Sequence, residues 1–343
     1  MKKQLIAAAV AASMSAFAMA DLSITGDAKY EYDHTDTNGT KTNDANTEMH
    51  INFKGKTGDT TVVANFELDT HGTDGGGIDL EDNYLQTKVG DLTVKAGNYA
   101  SSTSGLIGEL EEGGRASNKV TVSGSIGGIN LYAGNSGGST AAAGDSNSAT
   151  VDGNTSYDNN MFVGASMNIA GNTVQVKKNN NYRDSWGIKG SLSGVNYRVE
   201  GLSDNGEKSG ITKGDATYYE VDTTINGIKV QYATIDADNA TLIDETDSAV
   251  FAIEPGAKSN STGGKQVAIS TAVEGTTIKL ISGTVEKGLS ATLDLDYVQV
   301  SASRPLASGA TAVITYTDED YLASGASSAT SKENLEVELN VKF

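Results

Sequence analysis

Hydrophobic and polar residues alternate one by one along many segments of the chain. From Leu22 to Tyr32, apolar residues, Gly and Tyr hold the even positions, while Ser, Thr, Asp, Lys and Glu hold the odd ones. From Leu335 to Phe343, Leu, Val and Phe alternate with Glu, Asn and Lys. Because successive side chains of a strand point to opposite faces, this period of two predicts β-strands with one apolar face each.

Two kinds of connection separate the predicted strands. Short connections contain Gly, which adopts the positive φ of tight hairpin turns, and lie at 56–59, 90–91, 127–128, 170–171, 193–194, 226–227, 274–275 and 307–309. Long polar connections lie near 33–46, 70–79, 99–116, 135–158, 179–184, 203–215, 236–264, 286–293 and 319–332. Counting every connection gives 18 strands, and merging the weakly patterned pair beside 179–184 gives 16. Short turns opposite long loops predict an all-β, antiparallel, up-and-down barrel of an outer membrane.

A soluble β-sandwich also alternates and is the competing interpretation of the pattern. A sandwich of this length would need two or three domains, yet no linker divides the chain. In hydrocarbon every backbone N–H and C=O must be paired within the protein, and a closed barrel achieves this pairing without an open edge. The low mean hydropathy of −0.31 agrees with a barrel, because half of each strand would face water.

The first 20 residues differ from the rest. Lys2 and Lys3 precede a short apolar run, and Ala18-Met19-Ala20 forms a small-residue cleavage site, so residues 1–20 are predicted to be a secretory signal peptide. Residues 21–343 then form one barrel domain. Loss of the two lysines changes the formal net charge from −19 to −21. This acidity argues against a nucleic-acid binder, and the absence of Cys excludes a disulfide-stapled module.

The sequence resembles the general porins of Gram-negative bacteria. The resemblance rests on the signal peptide, the first strand Leu22–Tyr32, the strands joined at Val89-Gly90-Asp91, the insert after Tyr99, the hairpin Ser125–Tyr132 and the strand Asn334–Phe343. It implies a homotrimer in the cell outer membrane, 16 strands rather than 18, and contacts with outer-membrane lipid and lipopolysaccharide. It also implies that Phe343 is part of the signal read by the barrel assembly machinery.

General porins fold their third long loop into the lumen, which gives the insert after Tyr99 a predicted role. Its apolar anchors and four glycines suit a tightly folded loop, and Glu109, Glu111 and Glu112 with Arg115 would then form an acidic constriction. Alternation directs four lysines inward as the opposing pore wall: Lys29, Lys95, Lys119 and, near the periplasmic mouth, Lys54. Focused fields in a narrow pore set ion preference, so the acidic chain predicts modest cation selectivity. An ordinary solvated loop is the alternative.

Other chemistry is not indicated by the sequence. No catalytic constellation is present, so the chain is predicted not to be an enzyme. The three histidines lack metal-ligand spacing, so neither a metal site nor a cofactor is predicted beyond divalent cations loosely bound at acidic surface loops. The predicted function is passive diffusion of small hydrophilic solutes and ions. The alternatives are a substrate-selective channel, for which the loop offers only Tyr99 as an aromatic, and a non-conducting adhesin or structural barrel.

Overall fold

The computed structural model of the 343-residue chain describes ten parts of it. These parts are residues 21–69, 77–100, 115–135, 161–179, 183–204, 213–239, 251–252, 261–287, 294–321 and 330–343. The predicted signal peptide, residues 1–20, lies outside them and stays a prediction. The described residues include no helix whose length and apolar character would let it cross a membrane.

Eighteen antiparallel strands follow one another through these parts of the chain. The first nine are β1 Asp21–Thr37, β2 Thr40–Thr57, β3 Thr60–Asp69, β4 Gly77–Val89, β5 Leu92–Ala100, β6 Arg115–Ile126, β7 Ile129–Asn135, β8 Met161–Ile169 and β9 Asn172–Asn179. The second nine are β10 Arg183–Leu192, β11 Val195–Asp204, β12 Gly214–Ile225, β13 Ile228–Ala237, β14 Ser261–Val273, β15 Thr276–Lys287, β16 Leu295–Pro305, β17 Ala310–Tyr321 and β18 Thr330–Lys342.

The strands form a single closed sheet. Each strand pairs with the next in chain order, and β1 also pairs with β18 over a register that runs from Asp27 opposite Lys342 to Thr37 opposite Lys332. Closure leaves neither edge of the sheet unpaired, which is what a β-structure needs in hydrocarbon. The predicted all-β antiparallel barrel is therefore confirmed.

The strand number follows the count of hairpins rather than the resemblance. The weakly patterned segments beside 179–184 are separate strands, β9 and β10. Their pairing runs from Thr173 opposite Lys189 to Lys177 opposite Ser185. The value of 16 implied by the resemblance is therefore wrong, and 18 is confirmed. The weak pattern arises on the outward face of this region, which includes Asn172, Lys178 and Gly190 where the alternation would have apolar side chains.

The first predicted long connection is also different from the expectation. Residues 33–46 are mostly strand, and only Asn38 and Gly39 form the turn, with φ of 50° and 84°. Two successive positive φ values match a tight hairpin turn whose twist fits that of its strands. The polar residues on both sides of the turn pair with each other, for example Asp33 with Asp44, so the predicted long connection is the end of the β1–β2 hairpin.

The seam between β1 and β18 ends in a close contact between Gly26 and Phe343. The backbone N–H of each residue donates to the carbonyl oxygen of the other at 2.9 Å. A Cβ added to Gly26 would clash with the His50 carbonyl oxygen and would lie 2.7 Å from Cζ of the Phe343 ring. The seam thus needs a residue without a side chain at position 26.

We expect Gly26→Ala to lower the fraction of protein that folds into a closed barrel. The Phe343 ring and the β2 backbone would both have to move, in a sheet that must close to be stable. The measurement is heat-modifiable mobility of the refolded protein on gels, with Gly55→Ala as the control, because a Cβ there meets nothing within 4 Å. Equal folding of the two variants would contradict this account of the seam.

Candidate pore-lining site

The two faces of the barrel wall differ in chemistry. One face carries well-exposed apolar side chains throughout the sheet, such as Ile24 (54 % exposed), Leu85 and Val163. The other face carries most of the charged side chains, and Lys119 and Glu200 are buried on it. An isolated barrel exposes its membrane belt to solvent, so the apolar face is the outer surface and the polar face is the lumen wall.

Carboxylates are concentrated on one sector of the lumen wall, formed by β18, β1, β2 and β3. The register puts Glu31 opposite Glu338 and Asp33 opposite Glu336. Like charges directly opposite each other destabilise a sheet, so their presence suggests a role other than stability. We call this the acidic sector, and its inward carboxylates include Asp27, Glu31, Asp33, Asp44, Glu48, Glu67, Glu336 and Glu338.

Lys29 lies inside the acidic sector rather than across the lumen from it. Its Nζ is 2.9 Å from Oε2 of Glu31 and 3.1 Å from Oε2 of Glu48. The lysine is therefore inward, as the alternation predicted, but its charge is shared between two carboxylates of the same sector. The sequence could not show this, because the Glu48 contact depends on the β1–β2 register.

Lysines and aromatic rings form a second sector on β4, β5 and β6. Nζ of Lys95 lies 3.7 Å from the ring centroid of Tyr84 and 3.9 Å from that of Tyr99. Nζ of Lys119 lies 5.0 Å from the Tyr99 ring, and Lys119 is only 1 % exposed. Ring faces attract cations, and partial desolvation strengthens the attraction. This lysine–aromatic sector therefore holds two positive charges in fixed positions, near the carboxylate of Asp82.

The same combination recurs on β7, β8 and β9. Nζ of Lys177 lies 5.3 Å from the Phe162 ring, and the Phe162 and Tyr132 rings have centroids 6.3 Å apart. Nε2 of Gln175 donates a hydrogen bond of 2.8 Å to the Tyr132 hydroxyl. Inward cations supported by aromatic rings therefore extend over six neighbouring strands, β4 to β9.

A short segment after β13 lies inside the barrel. Phe251 is 6 % exposed and packs with inward residues of β11, β12 and β13, among them Leu202, Tyr218 and Ile235. Next to it, the Ala252 N–H donates a hydrogen bond of 2.7 Å to Oε1 of Gln266 on β14. This part of the lumen wall is apolar and is covered by the Phe251–Ala252 segment.

The predicted site residues are distributed as follows. Lys54, Lys95 and Lys119 join Lys29 on the inner face, with Lys54 exposed and paired with Val63, near the short-turn end of β2 and β3. Arg115 is the first residue of β6 and pairs with Ala100. Glu109, Glu111 and Glu112 lie outside the described residues, so the acidic constriction loop stays a prediction, as do the roles of all these residues in selectivity.

Sequence reasoning missed three features of the lumen. The Tyr84–Lys95–Tyr99 contact depends on the pairing of β4 with β5. The acidic sector depends on the pairing of β18 with β1, which lie at opposite ends of the sequence. The inward position of Phe251 had one sequence signal, since the 236–264 connection is long and contains an isolated run of Val250, Phe251, Ala252 and Ile253.

Comparison with known proteins gives a likeness of fold. No protein-family model matches the chain, and no curated protein sequence matches it. Solved structures do match. The crystal structure of Pseudomonas aeruginosa OccK2 (OpdF) has a TM-score of 0.65 at 12 % identity, covering 94 % of this chain and 98 % of that one. This chain therefore has the same fold as OccK2.

Two further structures extend the comparison. OccK2 in complex with glucuronate has a TM-score of 0.63 at 12 % identity, covering 94 % of this chain and 98 % of that one. The P. aeruginosa outer membrane protein OpdK has a TM-score of 0.60 at 10 % identity, with 94 % and 99 % covered. The fold supports the predicted outer-membrane location, and the resemblance to the trimeric general porins stays a prediction.

We expect Phe251→Ala to change the open pore. Loss of a buried phenylalanine costs about 3–5 kcal/mol in protein cores, so the variant would release the Phe251–Ala252 segment from the lumen wall. Single-channel recordings should then show altered conductance and more current noise. Phe66→Ala is the control, because Phe66 packs against Phe53 on the outer face, with ring centroids 5.8 Å apart. Identical traces from wild type and Phe251→Ala would contradict an inward anchor.

Proposed function

We propose that the chain forms a water-filled outer-membrane channel for passive diffusion of small hydrophilic solutes and ions. The observation that supports this most is the closed 18-stranded wall with an apolar outer face and a charged inner face. Barrels of 16 to 18 strands are wide enough for an aqueous channel. The likeness to the outer membrane protein OpdK points the same way.

The acidic sector supports a modest preference for cations. Two pairs of like charges, Glu31 with Glu338 and Asp33 with Glu336, face each other across the β1–β18 seam. Carboxylates on a low-dielectric wall raise the local concentration of cations. The acidic loop predicted from the sequence, with Glu109, Glu111 and Glu112, would add to the same effect.

The assembly of the channel is part of the proposal. From the sequence resemblance we infer a homotrimer surrounded by outer-membrane lipid and lipopolysaccharide. Phe343 would be read by the barrel assembly machinery and would afterwards hold the seam beside Gly26. An SDS-resistant oligomer in unheated gel samples would support the trimer, and a monomer under all mild conditions would contradict it.

Bilayer recordings in a KCl gradient test the channel and its selectivity together. We expect steady conductance steps and a reversal potential on the cation-selective side. The double variant Glu336→Gln/Glu338→Gln should shift the reversal potential toward zero, because it removes inward charge from the acidic sector. Glu333→Gln is the matched control, since Glu333 lies on the outer face of the same strand, opposite Asp36.

Two outcomes would contradict the proposal. A folded barrel without conductance would favour the non-conducting adhesin or structural barrel. Anion preference in the wild type would refute the role given to the acidic sector.

A substrate-selective channel is the second candidate, favoured by the lysine–aromatic sector. Lys95 is held between the rings of Tyr84 and Tyr99, and Lys119 lies close to Tyr99. A solute with one carboxylate and a sugar-like ring could pair its charge with the lysines and stack against the tyrosines. OccK2 has been solved with glucuronate, a molecule of this chemistry.

Glucuronate added to a conducting channel tests this candidate. We expect brief interruptions of the current in the wild type and a several-fold lower interruption frequency in Lys95→Met, because the variant keeps the side-chain length but lacks the charge. Lys54→Met is the control, as Lys54 is an exposed inward lysine near the short turns. Equal interruption in all three proteins would exclude selection by the lysine–aromatic sector.

A further inference from the structure

The inner face of β1, β2 and β3 brings an imidazole among carboxylates. His50, in the middle of β2, is directly opposite Asp27 on β1 and Glu67 on β3. Glu48 is two residues away along β2, so it shares the same face. Directly opposite residues have Cβ atoms about 4.5–5.5 Å apart. These register relations converge on the lumen wall, whereas the spacing of the histidines in the sequence gives no sign of them.

The distances between these side chains suit binding of one metal ion by all three. One ligand atom from each of Glu48, His50 and Glu67 lies within 4.8 Å of the other two. Nε2 of His50 is 3.0 Å from Oε1 of Glu48, and the two side chains are 28 % and 21 % exposed. The three groups are therefore held by strand backbone on one wall and remain accessible from the lumen.

The orientation of the imidazole provides a second, independent indication. Nδ1 of His50 is 3.2 Å from Oδ2 of Asp27, which lies on the far side of the ring from Glu67. A metal-bound histidine usually has its other ring nitrogen on a carboxylate, which fixes the tautomer and the ring orientation. Asp27 thus holds the ring with Nε2 directed at Glu48, and a ligand atom of Glu67 lies within 4.8 Å.

We propose that Glu48, His50 and Glu67 bind a divalent transition-metal ion of the zinc type on the lumen wall. One imidazole nitrogen and two carboxylate oxygens are typical zinc ligands, and water would fill the fourth position. Two carboxylates balance the charge of the ion. The site goes beyond the sequence expectation of no metal, and it differs from loose binding by acidic loops because it depends on a nitrogen ligand. It does not depend on the proposed transport function.

Lys29 lowers the affinity of the proposed site for a metal ion. Its Nζ is 3.1 Å from Oε2 of Glu48, while Oε1 of the same carboxylate faces His50. The ammonium therefore competes with a metal for the charge of Glu48. Glu31, 2.9 Å from the same Nζ, offers Lys29 another partner when a metal binds.

Zinc titration of the full-length folded protein in detergent, followed by calorimetry, tests the proposal. We expect one zinc site per chain, with affinity reduced at least about tenfold in His50→Gln and in Glu67→Gln, as for other changes near metal ligands. Lys29→Met should bind zinc more tightly than the wild type, because it removes the competing charge. A simple structural role for these residues would not produce that gain.

Controls separate this site from general acidity. His34→Ala should bind zinc as the wild type does, since His34 lies on the outer face of β1 beside Asn43. Mg²⁺ should compete weakly, because it prefers six oxygen ligands over an imidazole. Gel mobility confirms that each variant is folded.

Three results would overturn the proposal: no zinc binding by the wild type at millimolar concentration, unchanged binding in folded His50→Gln, or equal competition by Mg²⁺. Because calorimetry requires no conductance, failure of this proposal leaves the channel function untouched, and a barrel that does not conduct leaves the zinc site untouched.

Discussion

Pairing of β1 with β18 is the interaction on which the rest of the molecule depends. A sheet in hydrocarbon cannot leave edge N–H and C=O groups unsatisfied, so 18 strands form a membrane wall only once the first meets the last. The pairing runs from Asp27 opposite Lys342 to Thr37 opposite Lys332, and the Gly26–Phe343 contact extends it at the short-turn end. Closure also fixes register, and a slip of one residue would exchange lumen and lipid faces along the seam.

The chemistry of the lumen follows from that closure. Glu31 and Glu338 belong to opposite ends of the sequence and become neighbours only at the seam, where they form part of the acidic sector. Lysines on β5, β6 and β9 project from another part of the ring and are supported by aromatic side chains. The lumen wall therefore carries negative charge on one sector and positive charge on the neighbouring one, which meet where β3 pairs with β4. Apolar side chains on the wall between β11 and β16 are instead covered by Phe251 and Ala252.

The sequence predicts the barrel well because its strongest signal, the alternation, is the same signal that lipid and water impose on a barrel wall. The alternation also predicts which residues face inward, as for Lys95, because it depends only on neighbouring positions within one strand. It does not predict neighbours across strands, so the contact of Lys29 with Glu48 and the grouping of His50 with Glu67 require the register. The sequence predicts a loop around Asn38–Gly39 because nearly every residue of 33–46 is polar, so the two faces of these strands do not differ. The apolar run at Val250–Ile253 indicates an anchored segment in the sequence, but the wall that Phe251 and Ala252 cover is known only from the structure.

Cross-linking of the seam tests the closed register most directly. The chain contains no Cys, so the only thiols would be those introduced. Ala28 and Val341 are directly opposite, and a hydrogen-bonded pair has Cα atoms about 5.5 Å apart, which is within disulfide range. The folded double variant Ala28→Cys/Val341→Cys should oxidise to an intramolecular disulfide, visible as a reduction-sensitive mobility shift after denaturation. Ala28→Cys/Leu339→Cys, offset by two residues, should remain reduced. Equal cross-linking of both variants, or oxidation of the offset variant alone, would contradict the closed register from which the two faces of the wall were assigned.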